Sequence, residues 1–179
     1  MPNEDTSLLH LGIPCLRRLL LLTLLGACSL YTDQRLVFAA QRTTGFALMA
    51  LDLQTDTVLW ALRMPVLSQA RPLIVGSRVF WGADRLYAIE AERGRFQTYE
   101  ISGGPVGSPI LSQNTLYVPG GRFMHVVDPH TGQVRERFEA EEWVQAPPTV
   151  GPPLMHQGVV YFSSLDCRVY AVRFGKTYR

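Results

Sequence analysis

A short apolar segment ending in an acidic residue recurs at a fixed interval along this chain. The clearest copy is Tyr87-Ala88-Ile89-Glu90, and similar segments end 38 residues earlier at Asp52 and 38 residues later at Asp128. A less complete fourth copy ends at Arg173. Constant spacing of this kind indicates one supersecondary unit copied along the sequence. We therefore predict a repeat protein.

Each repeat consists of short runs of aliphatic, aromatic and β-branched residues separated by turn-forming residues, which predicts β-strands. We expect three strands in residues 36–62, four in 72–99, four in 109–138 and three in 153–172, fourteen in all. The chain is 47% hydrophobic and contains 15 Gly and 12 Pro, which is too apolar for disorder and supplies many turns. The predicted fold class is all-β.

The turn after each acidic residue has its own pattern. Gly94 and Gly132 lie four residues beyond Glu90 and Asp128, where a three-residue hairpin loop needs a residue with positive φ. Asp56 occupies that position in the first repeat and is a tolerated substitute. The carboxylates of Asp52 and Asp128 are expected to accept hydrogen bonds from backbone N–H groups in their turns, and the longer Glu90 is expected to do so less well.

The order of an apolar run, an acid, a Thr-Gly turn and a strand ending in Trp resembles the repeat of PQQ-like β-propellers. The residues that carry the resemblance are Asp128-Pro129-His130-Thr131-Gly132 and Asp52-Leu53-Gln54-Thr55 with Trp60. The resemblance covers roughly residues 36–174 and implies about four antiparallel blades in a partial or small propeller. It also implies that Trp60 docks between blades. Tyr99 and Phe138 replace it, slightly displaced, in the next repeats, which implies less regular packing there.

Fourteen strands are fewer than the sixteen that four complete blades require. The three outcomes considered are a small ring with irregular closure, an open arc, and two arcs that associate into a larger ring. Open ends would expose apolar sheet faces, so self-association that completes the propeller is a hypothesis.

The N-terminal residues read as an export signal. Arg17-Arg18 precedes the apolar run of residues 19–25, which is too short to cross a bilayer as a helix, and small residues follow. Leu25-Gly26-Ala27-Cys28 resembles the lipobox of bacterial lipoproteins. The predicted organisation is a signal peptide at 1–27, lipidation at Cys28, a tether at 28–35 and a propeller domain at 36–179. An ordinary secretory signal and an uncleaved anchor are the alternatives. By the same resemblance, the absence of Asp after Cys28 favours the periplasmic face of the outer membrane.

The sequence contains few candidates for metal ligands or catalytic residues. His125, His130 and His156 lie near Asp128 but lack the spacing of a zinc site, so a structural role is expected and no metal is predicted. A PQQ-dependent dehydrogenase would need a larger ring, a calcium site and commonly adjacent cysteines, so neither a cofactor nor a catalytic residue is predicted.

Glu141, Glu142 and Trp143 form a charged segment interpreted either as a partner-binding site or as a protected edge. Cys167 is either a reactive thiol or merely tolerated.

These observations predict a non-enzymatic lipoprotein of the cell envelope whose propeller is a protein-interaction scaffold. In address and repeat type it resembles the propeller lipoproteins of the outer-membrane β-barrel assembly machinery, which have eight blades. The net charge of +2 comes from interspersed residues and indicates no nucleic acid partner. The alternative is a periplasmic quinoprotein-like enzyme or small-molecule sensor that uses the central face of the propeller.

Overall fold

The structure is a computed structural model that describes residues 23–32, 35–42, 45–144 and 154–174. These residues form fifteen strands with the turns and loops between them. Within the same ranges there is no helix of the length and apolarity needed to span a membrane.

The first sheet has four antiparallel strands in sequential order: β1 (Thr23–Thr32), β2 (Arg35–Arg42), β3 (Gly45–Asp52) and β4 (Thr57–Met64). The three strands predicted for residues 36–62 are confirmed as β2, β3 and β4, and the sheet has one additional strand, β1, before them. This strand contains residues 23–27, which we assigned to the signal peptide, and residues 28–32, which we assigned to the tether. Within it, Cys28 pairs with Phe38. An apolar segment adjacent to an open sheet edge gains backbone hydrogen bonds by pairing with it.

The second and third sheets repeat the same antiparallel meander. The second contains β5 (Leu73–Val75), β6 (Arg78–Gly82), β7 (Leu86–Glu90) and β8 (Phe96–Tyr99). The third contains β9 (Ile110–Ser112), β10 (Thr115–Gly120), β11 (Phe123–Val127) and β12 (Val134–Glu139). Both match the four strands predicted for their repeats, because alternating apolar residues and turn formers are local signals.

The fourth sheet has three strands in the described part of the chain: β13 (Leu154–His156), β14 (Val159–Ser163) and β15 (Val169–Val172). Its register repeats that of the preceding sheets. Leu154 pairs with Tyr161 as Leu73 pairs with Phe80 and Ile110 with Tyr117.

Successive sheets pack face to face, and an apolar cluster fills each of three joints. The joint between the first two sheets buries Val37, Leu48, Trp60, Val79, Trp81 and Ile89 among others. The second joint buries Phe80, Leu86, Tyr99, Leu116 and Val127. The third buries Met124, Val160 and Phe162, with Tyr117, Phe138 and Tyr170 packed against them. Stacked four-stranded meanders whose faces are buried against neighbouring sheets are the architecture of propeller blades, as predicted.

Candidate interaction surface

Two aspartates organise the turns that follow the third strands of the first and third sheets. Asp52 Oδ1 accepts hydrogen bonds from the backbone N–H groups of Gln54 and Thr55, each at 2.9 Å. Asp128 Oδ1 accepts them from His130 at 2.8 Å and Thr131 at 3.1 Å. Because these bonds favour the ionised form, they hold the pKa of each carboxyl below its usual value, the Thr55 bond contributing most at Asp52 and the His130 bond most at Asp128.

An aromatic side chain at the outer strand of one sheet packs on the turn of the next. Trp60 Nε1 donates a hydrogen bond to the carbonyl oxygen of Ala91 at 2.8 Å, and its ring covers Gly94. A Cβ atom added to Gly94 would lie only 2.7 Å from Trp60 Cγ, so glycine is needed for the close approach as well as for its φ of +69°. Trp60 therefore fastens the first sheet to the second.

Tyr99 repeats this arrangement one joint further along. Its hydroxyl lies 3.1 Å from the carbonyl oxygens of both Pro129 and His130, and its ring covers Gly132, whose φ is +75°. A Cβ atom on Gly132 would lie 2.2 Å from Tyr99 Cδ1. The expectation of less regular packing at Tyr99 is wrong, because a phenol reaches the turn carbonyls as the Trp60 indole does.

The third joint is built differently. Phe138 has no polar atom with which to reach a turn, and its ring instead lies 5.9 Å from the ring of Phe162 and 5.4 Å from that of Tyr170. Phe162 and Tyr170 stack with ring centroids 5.5 Å apart and planes 12° from parallel. This joint depends on contacts between aromatic rings, and here the resemblance correctly implied a departure from the first joint.

Residues 140–144, which we call the connecting segment, tie the third sheet to the fourth. Val144 N donates to Gly121 O at 2.6 Å on the third-sheet side, while Trp143 O accepts from Leu165 N at 3.0 Å beside the fourth sheet. The carboxylate of Glu141 forms an ion pair with Arg168. A rigid backbone therefore presents the exposed side chains of this segment.

Within the connecting segment, Trp143 is 37% exposed, and the other side of its ring lies over the backbone of Gly104. The neighbouring Glu142 is exposed. An aromatic ring held on one side and open on the other, next to a carboxylate, suits recognition of a partner protein, since aromatic residues are enriched at such interfaces.

The three histidines considered as possible metal ligands do not lie together in one site. His125 is fully buried, with Nδ1 3.2 Å from Val118 O and Nε2 3.4 Å from Ser102 Oγ, and burial lowers its pKa. His130 lies in the turn after Asp128, and His156 ends β13 on the fourth sheet. Over the described ranges, no three His, Cys, Asp or Glu side chains are placed to hold a metal ion.

One groove lies where the second and third sheets meet. It has a volume of about 370 Å³ and is lined by Phe80 and Leu111 together with the polar residues Arg78, Asn114 and His130. Arg78 Nη1 donates to Pro129 O at 3.1 Å, so its guanidinium also binds the two sheets together. A groove of this size is comparable with small-molecule pockets.

The sequence did not point to several features of this surface. Arg168 and Tyr170, which hold Glu141, belong to the incomplete fourth copy, whose mismatch gave no sign of a role. The side chain of Cys28, the predicted lipidation site, lies outside the residues whose side chains are described. Cys167 is exposed and has a φ of +63° in the turn before β15.

Comparison with known proteins identifies the fold. No family model matches the chain, and a search of curated proteins finds no match. Among solved structures, BamB from Moraxella catarrhalis aligns with a TM-score of 0.65 and 17% identity, over 83% of this chain and 43% of that one. The computationally designed protein Ika8 gives a TM-score of 0.65 and 15% identity, over 83% of this chain and 45% of Ika8.

A second designed protein, Ika4, aligns with a TM-score of 0.64 and 16% identity over 84% of this chain and 91% of its own length. The chain therefore spans less than half of the BamB and Ika8 chains and nearly all of Ika4. Identities this low establish likeness of fold. Together with the stacked antiparallel sheets, they show that this chain has a β-propeller-type fold similar to that of BamB.

Proposed function

We propose that this chain is a non-enzymatic lipoprotein of the cell envelope that acts as a scaffold for protein partners. The single observation that carries the proposal is the connecting segment. Its backbone is hydrogen-bonded to the third and fourth sheets and holds Glu142 and Trp143 at the surface of the propeller-type fold. The likeness in fold to BamB, together with the resemblance of the repeats to those of propeller lipoproteins of the outer-membrane β-barrel assembly machinery, supports the proposal.

The proposed location of the protein is the periplasmic face of the outer membrane, with Cys28 carrying the lipid. It is supported by the basic, apolar and small-residue order that ends at Cys28. Labelling bacteria that express the chain with an alkyne-tagged fatty acid is expected to tag the protein, and Cys28→Ser is expected to abolish the tag. A tag that survives Cys28→Ser would contradict lipid attachment at Cys28.

The partner site is tested by crosslinking in the native envelope followed by mass spectrometry. The change Trp143→Ala, combined with Glu142→Lys, is expected to remove the captured partner, because it deletes the exposed ring and inverts the adjacent charge. The matched control is Phe96→Ala, which removes another exposed aromatic ring from the edge of the second sheet. Loss of the partner in the control alone, or unchanged capture in the double variant, would overturn the partner site.

A small-molecule sensor or quinoprotein-like enzyme is the second candidate, favoured by the groove of about 370 Å³ at Arg78 and His130. Reconstitution with PQQ and calcium tests it directly. Tight binding accompanied by oxidation of alcohols or sugars would replace the scaffold proposal, whereas absence of binding would leave the scaffold as the better account.

A further inference from the structure

The groove between the second and third sheets is framed by three tight turns. The β5–β6 turn contributes Gly76 and Ser77, and the β9–β10 turn contributes Asn114. Each of these turns has only two residues between paired strands. The third turn, which contains His130, is fixed by the backbone hydrogen bonds that Asp128 accepts. The groove is therefore preformed, as most small-molecule sites are.

The lining of this groove is apolar inside and polar at the surface. Its apolar residues, all buried or half-buried, are Val75, Phe80, Leu111 and Pro129. The side chains of Asn114 and His130 are exposed beside them. A concave apolar surface with a few polar groups is typical of sites that bind small organic molecules.

Arg78 is the only lysine or arginine among the residues that line the groove. It is half-buried, and its Nη1 donates to the carbonyl oxygen of Pro129 at 3.1 Å. A guanidinium has five N–H donors, and its planar fork matches the two oxygens of a carboxylate. Among the described residues, no carboxylate oxygen lies within 4.0 Å of a nitrogen of the Arg78 guanidinium. The charge of Arg78 is thus available to a ligand.

The first joint contains the same arginine with a carboxylate beside it. Arg35 and Arg78 occupy equivalent positions, since each pairs in register with the acidic residue that ends the third strand of its sheet. Arg35 forms an ion pair with Glu92, which lies in the turn of the next sheet. The equivalent position in the third sheet, two residues after the acid, is His130. The second joint therefore keeps the arginine and lacks its carboxylate partner.

We propose that this groove binds a small organic acid whose carboxylate pairs with Arg78, as the carboxylate of Glu92 pairs with Arg35. The apolar part of the acid lies against Phe80 and Leu111. A single guanidinium in a groove of about 370 Å³ suits one carboxylate joined to a body of about one aromatic ring. The inference gives a ligand class to the groove of the second candidate function and rests on that groove alone, without PQQ or oxidation chemistry.

The neighbouring acidic side chains do not compete with such a ligand. Asp128 Oδ1 accepts the N–H groups of its own turn, and its other carboxylate oxygen pairs with Arg135. Glu90, the cross-strand neighbour of Arg78, does not line the groove and is exposed. Neither carboxylate therefore neutralises the guanidinium within the groove.

Titration of the purified, ¹⁵N-labelled chain with 3-phenylpropionate, followed by amide chemical shifts, tests the site. We expect a dissociation constant of about 0.1–1 mM, because the ligand is small and makes one charge-assisted pair. The shift changes should centre on residues 75–80, 111–114 and 129–130. The neutral analogue 3-phenylpropionamide has the same ring without the charge and should bind about tenfold more weakly or worse.

Two pairs of variants test the role of Arg78. Arg78→Gln is expected to weaken binding about tenfold or more, whereas Arg63→Gln, which removes an exposed arginine of the first sheet, should leave it unchanged. His130→Glu places a carboxylate where the first joint has Glu92, so it should pair with Arg78 and exclude the ligand. Its matched control, His130→Gln, should retain binding. Because His130→Glu keeps the bond from Arg78 to Pro129, it remains informative should Arg78→Gln fail to fold.

Absence of shift changes in the groove up to about 10 mM ligand, equal binding of the amide, or undiminished binding in Arg78→Gln or His130→Glu would overturn the inference. Tighter binding of N-acetylglycylphenylalanine than of 3-phenylpropionate would overturn the assignment to a free acid, because the ligand would then be the carboxyl terminus of a peptide. These titrations contain no PQQ, calcium or partner protein. Their failure is therefore distinct from failure of the reconstitution or crosslinking experiments.

Discussion

The contacts that hold neighbouring sheets together differ between the first two joints and the third. Trp60 and Tyr99 each pack a ring on a glycine of the next sheet and donate a hydrogen bond to a turn carbonyl. Phe138, at the third joint, has no polar atom and packs against apolar neighbours that include the rings of Phe162 and Tyr170. In the first two joints the aromatic side chain is fixed by a hydrogen bond, whereas in the third it makes apolar contacts and the polar ties are made by the connecting segment.

The difference shows that glycine and aromatic residues form a matched pair across a joint. A polar ring tip can reach a buried carbonyl only if the turn approaches closely, and that approach requires a residue without a Cβ atom. Without the polar tip, ring packing is less directional and can adjust to its surroundings. The third joint should therefore tolerate substitution better than the first two.

The largest effect is expected for Trp60→Ala. Removing a buried indole forfeits its apolar burial, leaves a cavity and strips the Ala91 carbonyl of its donor, which should cost about 3–5 kcal/mol. Phe138→Ala removes a half-buried ring without a hydrogen bond and should cost at most about 2 kcal/mol. Urea unfolding followed by circular dichroism measures both. Equal costs would remove the distinction between the joints.

The next largest effect is expected for Gly132→Ala. The new Cβ would meet the Tyr99 ring at 2.2 Å in a backbone with φ of +75°, so overpacking and backbone strain together should cost about 3 kcal/mol. Gly158→Ala is the matched control, because Gly158 has the same φ of +75° with nothing within 4 Å of its added Cβ. It should cost about 1 kcal/mol. If both variants lose the same stability in urea, contact with Tyr99 is not what requires glycine.

The strands of the last three sheets could be predicted because alternation and turn residues are local signals. β1 could not, since an apolar run such as Thr23–Thr32 has the composition of an export signal, and its pairing with β2 depends on a neighbouring edge. Export and lipidation at Cys28 stay predictions. The docking of Trp60 followed from family resemblance, but its acceptor, the Ala91 carbonyl, depends on how two sheets are placed.

A smaller effect is expected for Tyr99→Phe, which converts the second joint toward the chemistry of the third. The ring remains over Gly132, and the Pro129 carbonyl keeps the Arg78 guanidinium as a donor, so the loss should be about 0.5–1.5 kcal/mol. The reverse change, Phe138→Tyr, should give no gain in urea unfolding, because the third joint offers its ring neighbours rather than a turn carbonyl. A gain of the same size would show that the third joint has an acceptor after all.

The smallest effect is expected for Asp128→Asn and is visible only through its dependence on pH. The pKa of Asp128 is lowered in the folded chain, chiefly by the backbone N–H of His130, so the unfolded state takes up a proton first as the solution is acidified. Its contribution to stability is therefore fully present above the ordinary pKa of 3.8 and is lost as pH falls through the lowered value.

The amide introduced by Asp128→Asn would keep an acceptor oxygen for the turn but could not titrate, so the variant should lose less stability between about pH 5 and pH 2 than the wild type. Asp52→Asn should flatten the acid limb in the same direction, because the pKa of Asp52 is lowered by the same kind of turn. Thermal unfolding at a series of pH values measures the effect. An acid limb as steep in the variant carrying both changes as in the wild type would show that these turns do not set the acid sensitivity of the sheets they close.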